Sequence, residues 1–364
     1  MKDFDSGFMH TFPAVRGVQA GRTFFIAMCP LLVIPKIFVF DEEEVPAELR
    51  AQRTINRSRI PEIANYLVAN PESYVLSALT ASVDAPVNFI PSGNGNSMAS
   101  VGMLNIPMGA RILINDGQHR RAAIEDAVKR NQMLGHDNVP VLFFADAGLI
   151  RSQQMFADLN KHAVRPSVSL GTLYDQRDAT ARLACYLATE CETFKGLTEM
   201  EKSAISNRST NLFALSSIKL ASRVLLRLGK RDEVTEDHMQ IAKNYWEEVA
   251  KNIPDWQRAK AGQVQSSELR EKTVHAHSLA LHALAQVGAH LLEENKVGWK
   301  KQLAGLKSVD WARNNKVWEG RALDHGRLKK STVSVTATAA VIKQAIGLTL
   351  TSEEKKLIPK AKQK

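Results

Sequence analysis

Two hydrophobic periods divide the chain. Before about residue 170, apolar positions come in short runs bounded by Gly, Pro, Asn and Ser. Phe24 to Met28, Lys36 to Phe40, Tyr74 to Val83, Ile112 to Ile114 and Val139 to Phe144 read as strands, with Asn88 to Pro91 following the third. Two stretches among them have helical spacing. Ile60, Ile63, Ala64 and Leu67 form one buried face, with Ser58 as cap and Pro61 in the first turn. Ile124, Ala127 and Val128 form the other, in a helix running from His119. Met155, Phe156 and Leu159 mark a further helix over Ser152–Asn160, and Ser167 can cap the segment after it. Beyond Gly171 the strands stop. Helices are predicted over Ala179–Glu190, Ser216–Leu228, Glu233–Lys251, Ser266–Glu294 and Thr336–Ile346.

Strand, helix and strand followed by helices alone implies an α+β protein. The expected division is a mixed αβ domain over 1–170, a mostly helical domain over 171–295, and a basic C-terminal segment over 296–364 packed on the rest. The longest apolar run, Phe24 to Phe40, is interrupted by Pro30, Pro35 and Lys36 and is too short to span a bilayer. Three cysteines (Cys29, Cys185 and Cys191) and no signal-peptide layout point to a cytoplasmic chain without a disulfide framework.

Charge narrows the function classes. A net charge of +10 over 364 residues favours a polyanionic partner, double-stranded DNA before a membrane surface. Lys219, Arg223 and Arg227 recur every fourth residue, and no carboxylate within that predicted helix neutralises them. Arg313, Lys316, Arg321, Lys329 and Lys330 make a second basic cluster, with Arg327 among them. Both are candidate DNA contacts. Arg50, Arg53, Arg57 and Arg59 crowd the entrance of the helix that buries Ile63 and Leu67, where they suit phosphate.

The candidate chemistry centres on Asp116-Gly117-Gln118-His119-Arg120, between the strand ending at Ile114 and the helix that follows. Gly117 permits a turn with positive φ and close backbone approach. Asp116 is the expected N-cap. Free N–H groups at the helix start, with His119, Arg120 and Arg121 beside them, make an anion site. Glu125 is expected to pair with Arg121 four residues earlier. A catalytic version of the same turn assigns Mg²⁺ to Asp116, proton transfer to His119 and transition-state charge to Arg120. His275, His277, His282 and His290 fall in one predicted helix, but no Cys or acidic residue stands at metal spacing, so they read as polar-edge histidines. No Walker A loop, Rossmann fingerprint or Gly-x-Ser-x-Gly elbow is present.

These residues also resemble a known family. Asp116-Gly117-Gln118-His119-Arg120 is similar to the signature of the DGQHR-domain proteins. Gln52-Arg53 with Arg59 and Ile63-Ala64-Asn65-Tyr66-Leu67 resembles the family's first block, and Phe156 with Leu159-Asn160 its third. Arg16 to Arg22, Trp318 to Arg321 and Leu348 to Thr351 fit the branch associated with DNA phosphorothioation. The resemblance implies a ParB/sulfiredoxin-like fold for the N-terminal domain. It implies a phosphate or nucleotide held by Gly117, Gln118, His119 and Arg120, with Gln52, Arg53, Arg59 and Asn160 around it. Gln118 replaces an acidic residue common in ParB proteins, and His119 stands where sulfiredoxin has its cysteine. The implied role is a DNA-binding accessory protein that regulates the modification genes and works beside other proteins of the system, with a homodimer suited to paired half-sites. The alternative is a phosphate-bond enzyme, an NTPase or a DNA-nicking nuclease, using ATP and Mg²⁺ at the same turn.

Overall fold

The computed structural model divides the chain into two compact units, Met1–Val164 and Arg165–Lys364. It describes residues 8–38, 59–95, 98–145, 154–155, 158–159, 166–206, 208–229, 232–294 and 298–357. The class is α+β as expected, with a seven-stranded sheet in the first unit and packed helices in the second.

The first unit runs β1 (Met9–Gln19), β2 (Arg22–Pro30), α1 (Ile34–Ile37), α2 (Arg59–Ala69), β3 (Leu79–Val83), β4 (Asn88–Pro91), β5 (Val101–Pro107), β6 (Ile112–Asp116), α3 (Gln118–Arg130) and β7 (Asn138–Ala145). The sheet order is β4-β5-β1-β2-β7-β3-β6. The β3–β7 pair is parallel and the other described pairs are antiparallel. Alternation decides which face is covered. Phe12 and Ala14 of β1 and Phe25, Ala27 and Cys29 of β2 point into the core, while Val15, Ile26 and Met28 point out. Against the inner face lie α2, through Ala64 and Leu67, and α3, through Ala123, Ile124 and Ala127. These two helices pack on each other. β6 is one of the two edge strands, and Gly117 alone separates its last residue from α3.

Two strand readings change. Lys36 to Phe40 is not a strand where it is described, because Ile34–Ile37 forms a single helical turn. Pro35 fits the first turn, and Ile34 and Ile37, three apart, both bury. Tyr74 to Val83 is strand only from Leu79. The earlier residues are held by other groups: the Tyr74 hydroxyl donates to Asp137 at 2.6 Å, and Val75 N–H donates to the Tyr66 hydroxyl at 2.9 Å. Of the helix expected over Ser152–Asn160, only residues 154–155 and 158–159 are described, and these are helical.

The second unit contains α4 (Val168–Tyr174), α5 (Ala179–Glu190), β8 (Thr198–Glu199), β9 (Phe213–Ala214), α6 (Leu215–Leu225), α7 (Glu236–Asn252), α8 (Pro254–Lys260), α9 (Ser266–Lys272), α10 (Ser278–Glu294), α11 (Trp299–Leu303), β10 (Leu323–Asp324), β11 (Arg327–Leu328), α12 (Thr332–Ala345) and α13 (Ser352–Leu357). Its core joins α5, α6, α7, α10 and α12 around Trp246, Trp256 and Trp318, all fully buried. Phe194 meets Trp246 edge-on at 5.4 Å, and Phe213 meets Trp256 at 4.9 Å. Ser167 caps α4 as expected, its hydroxyl accepting from Leu170 N–H.

Here too the ends moved. The helix predicted to Leu228 stops at Leu225, and Arg227 takes a left-handed φ of 54°. The helix predicted over Ser266–Glu294 breaks at 273–277 into α9 and α10. Thr273, instead of continuing the helix, bridges to Ala312 in a β-type contact, and Val274 N–H donates to Trp311 O at 2.9 Å. The four histidines therefore do not share a helix. His275 lies in the break, accepting from the Trp256 indole at Nδ1 and facing Asp255 at Nε2, while His282 and His290 lie in α10.

A buried ion pair fastens the end of the unit. Lys343 Nζ meets Glu354 at 2.7 Å, with side chains 5% and 9% exposed. Burial alone would raise the Glu354 pKa, but Lys343 and the Thr351 N–H and hydroxyl outweigh it and hold the carboxyl below 4.5. A lowered native pKa contributes stability above the unfolded value that is lost as pH falls through the folded one. Thermal stability is therefore expected to fall from pH 4.5 downward, with a shallower dependence in Glu354→Gln. Glu354→Ala, which strands the lysine, is expected to cost about 3 kcal/mol in urea unfolding at pH 7.

Candidate functional site

The turn after β6 is built on one glycine. Gly117 has φ 111° and ψ 17°, left-handed space that L side chains rarely adopt. A Cβ on it would sit 2.4 Å from Leu79 Cδ2 of the neighbouring strand. Both the conformation and the space require glycine. The pairing of β6 with β3 also shifts here: Thr80 faces Asp116 while Ala81 faces Ile114, which leaves Asn115 as the extra residue of a bulge. Asn115 is fully buried, and its amide donates to Ser82 Oγ at 2.6 Å.

Asp116 does not cap the helix. The N-cap position belongs to Gly117, which offers no side-chain acceptor. The left-handed glycine is what places the chain at the helix start, and Asp116 stays in the strand. Its carboxylate instead takes Arg120 Nη2 at 2.6 Å. The same guanidinium donates through Nη1 to Ser77 O at 2.8 Å, to Ala78 O at 2.7 Å and to the Ser77 hydroxyl. Arg120 thus fastens the segment entering β3 to the turn leaving β6. Arg121 turns the other way, pairing with Glu125 as expected and donating to Pro35 O at 2.7 Å. Gln118 lies back over the strand end, its amide near Ile114 O and Asn115 O.

His119, in the first turn of α3, feels the charge of Arg59 as well as that of Asp116. Burial and the Arg59 charge lower the His119 pKa, against a weaker opposite pull from Asp116. The imidazole is neutral at pH 7, a donor and acceptor rather than a cation. These effects also place Arg59, His119 and Asp116 within electrostatic reach of each other. Gln52, Arg53 and Asn160 lie outside the described residues, as do Arg50, Arg57 and Phe156. No group of three or more His, Cys, Asp or Glu side chains is arranged to hold a metal ion among the described residues. Asp116, the one sequence-level metal candidate, has its carboxylate engaged by Arg120.

The basic residues of the second unit are distributed differently. Lys219 pairs with Asp178 at 2.5 Å and Arg227 with Glu293, carboxylates supplied by other elements. Lys329 meets Asp324 at 3.3 Å. Arg313 donates to Glu271 O and Gly326 O, and Arg321 to Val317 O. Arg223 is half-buried, whereas Lys316 and Lys330 are exposed. A feature that charge counting did not reveal is the ribbon made by β10 and β11, whose tip, His325-Gly326, has φ of 50° and 71°. Those values define a tight two-residue hairpin. The His-Gly pair was its only sequence signal.

A sequence model of the DndB family, described as DNA-sulfur modification-associated, matches residues 12–349. The chain belongs to the DndB family. DndB membership associates it with a DNA sulfur modification system, and the match spans both units. Comparisons with curated proteins and with solved structures gave no match. No helix is long and apolar enough to cross a membrane among the described residues.

Gly117→Ala is expected to destabilise by about 3 kcal/mol, combining a disfavoured φ with a clash at Leu79. Pairing it with Leu79→Ala should recover the steric part and leave the conformational part, as read by urea unfolding. Arg120→Ala should cost about 2–3 kcal/mol by leaving the carbonyls of Ser77 and Ala78 without their donor.

Proposed function

We propose that this DndB-family chain is a double-stranded DNA-binding accessory protein that regulates the modification genes, and that the exposed basic ribbon of the second unit enters the DNA groove. The observation that carries this reading is the hairpin itself. A two-stranded ribbon fits the major groove of B-DNA. Arg327, Lys329 and Lys330 are exposed on or just after it, and His325 at the tip is almost wholly exposed. Lys316 adds a further exposed cation. Lys219, Arg227 and, on the ribbon, Lys329 already hold carboxylates, so releasing any of them for phosphate would break an ion pair, whereas Arg327 and Lys330 form none among the described residues. A homodimer would present two ribbons to paired half-sites.

At the Gly117 turn the reading is phosphate binding rather than phosphate cleavage. The α3 N-terminus offers N–H groups with no side-chain cap, with Arg59 and His119 nearby. Arg120 holds the turn rigid from within. Nucleotide phosphate and DNA phosphate present the same oxyanion to this turn. Asp116 shares its Oδ2 with Arg120, and no second carboxylate joins it in a metal-holding group among the described residues.

Arg327→Ala/Lys330→Ala is expected to weaken retention of promoter DNA and to reduce the salt dependence of binding by about two phosphate equivalents. Lys219→Ala/Arg223→Ala/Arg227→Ala should change that slope less. Equal slopes for the wild type and the ribbon variant would remove the ribbon from the interface. With Mg²⁺ and either ATP or plasmid DNA, the wild-type protein and Asp116→Ala are expected to show the same background. Turnover that disappears with Asp116 would establish the enzyme instead.

A further inference from the structure

We propose that the second unit contains a separate small-molecule site, a cavity that takes an organic phosphate of mononucleotide size. The cavity encloses about 540 Å³, within the range of sites that hold drug-sized or cofactor-sized ligands. It lies wholly within the second unit and shares no residue with the Gly117 turn or the ribbon strands.

Its cationic side is formed by Arg270 and Arg313. Arg270 is more than nine-tenths buried and fixed by the carbonyls of Ser206, Ser209 and Asn211. Those bonds preset the guanidinium before any ligand arrives. Arg313 comes from the far side of the fold's sequence and is held by Glu271 O at 3.3 Å and Gly326 O at 2.8 Å. It forms no ion pair among the described residues. His277 lines the same cavity. Its Nε2–H donates to Arg270 O at 2.7 Å, so Nδ1 carries the free lone pair. Burial, against an opposing pull from the Arg270 carbonyl and with the Arg313 and Arg270 charges adding to it, pushes its pKa down to about 4. Ser203, Ser217, Ser267 and Ser278 supply hydroxyls around the wall. The N-cap of α6 at this wall, Ala214, offers no side-chain acceptor, so that helix adds its own positive end.

The rest of the wall is apolar, from Ile205, Leu212, Phe213 and Ala276. Bare phosphate would leave this side uncovered, while a base or similar flat body would bury against it. The Glu271 carboxylate lies at the rim, where it suits a ligand hydroxyl or amino group and opposes a second anion. Two fixed cations against one rim carboxylate favour a dianionic phosphate ester over a neutral ligand.

The test is titration calorimetry on the full chain with three probes: AMP, inorganic phosphate and adenosine. AMP is expected to bind saturably at micromolar to millimolar concentration, and each of the other two about tenfold more weakly. Arg313→Ala should weaken AMP by about tenfold while leaving adenosine unchanged. Ser267→Phe, placed on a half-exposed residue at the wall, should block AMP by filling the space and serves if the arginine variant fails to fold. Absence of saturable AMP binding, or equal AMP affinity in the wild type and both variants, overturns the site. Inorganic phosphate binding as tightly as AMP overturns the apolar subsite. Because binding is read directly and without DNA, these results stand apart from the ribbon's fate.

Discussion

The Arg120 guanidinium is the constraint on which the turn between β6 and α3 depends. One side chain reaches Asp116 on β6 and the carbonyls of Ser77 and Ala78 at the entrance of β3. The segment from Tyr74 to Ala78 belongs to no strand or helix, so its carbonyls have no ladder to satisfy them. Arginine suits the task because its planar fork offers several donors in fixed directions. Gly117 completes the arrangement by bringing the helix start against Leu79, where any larger residue would collide. The bulge at Asn115 turns the strand end at the same place. The glycine turn, the bulge and the Arg120 contacts all meet at this one strand end.

Arginines recur in this role across the molecule. Arg121 holds Pro35 O, Arg270 holds three carbonyls of the 206–211 loop, Arg313 holds Glu271 O and Gly326 O, and Arg321 holds Val317 O. In each case the guanidinium is anchored by backbone carbonyls, in loops for Arg270 and in short helical turns or helix ends for Arg121, Arg313 and Arg321. These arginines keep their charge, but several of their donors are committed to carbonyls and are not open to a phosphate. Exposed lysines and Arg327 carry more of the available field than the arginine count implies.

That difference explains what the sequence made legible. Period-2 and period-3.6 patterns located most of the described elements, and α5 begins and ends where the spacing of its apolar face puts it. The central strand-turn-helix was legible because Gly117 and the apolar residues on either side act locally. Asp116 was misplaced as a cap because its actual partner is chosen by the geometry of the glycine, and Arg120's other partners lie more than forty residues upstream. The Lys219–Arg227 stripe was correctly free of carboxylates within its own helix, yet Asp178 and Glu293 reach it from α5's N-cap and from α10. The break at Thr273–His277 escaped notice because the apolar spacing continues through it, while the Trp311 carbonyl that holds it is distant in sequence.

The cavity in the second unit shows the same limit in its strongest form. Arg270 reads as a helix-surface charge and Arg313 as part of a basic cluster, and nothing in either neighbourhood relates them. The break between α9 and α10 brings them together. Had that segment continued as one helix, Thr273 could not bridge to Ala312. Arg313 N–H could not donate to Lys272 O at 2.8 Å, and its guanidinium would lose its place beside His277. Arg313 then faces two ways, forming the cavity wall and holding Gly326 at the ribbon tip. A single side chain thereby joins the cavity to the basic ribbon. Its position follows from one interrupted helix, not from any local excess of charge.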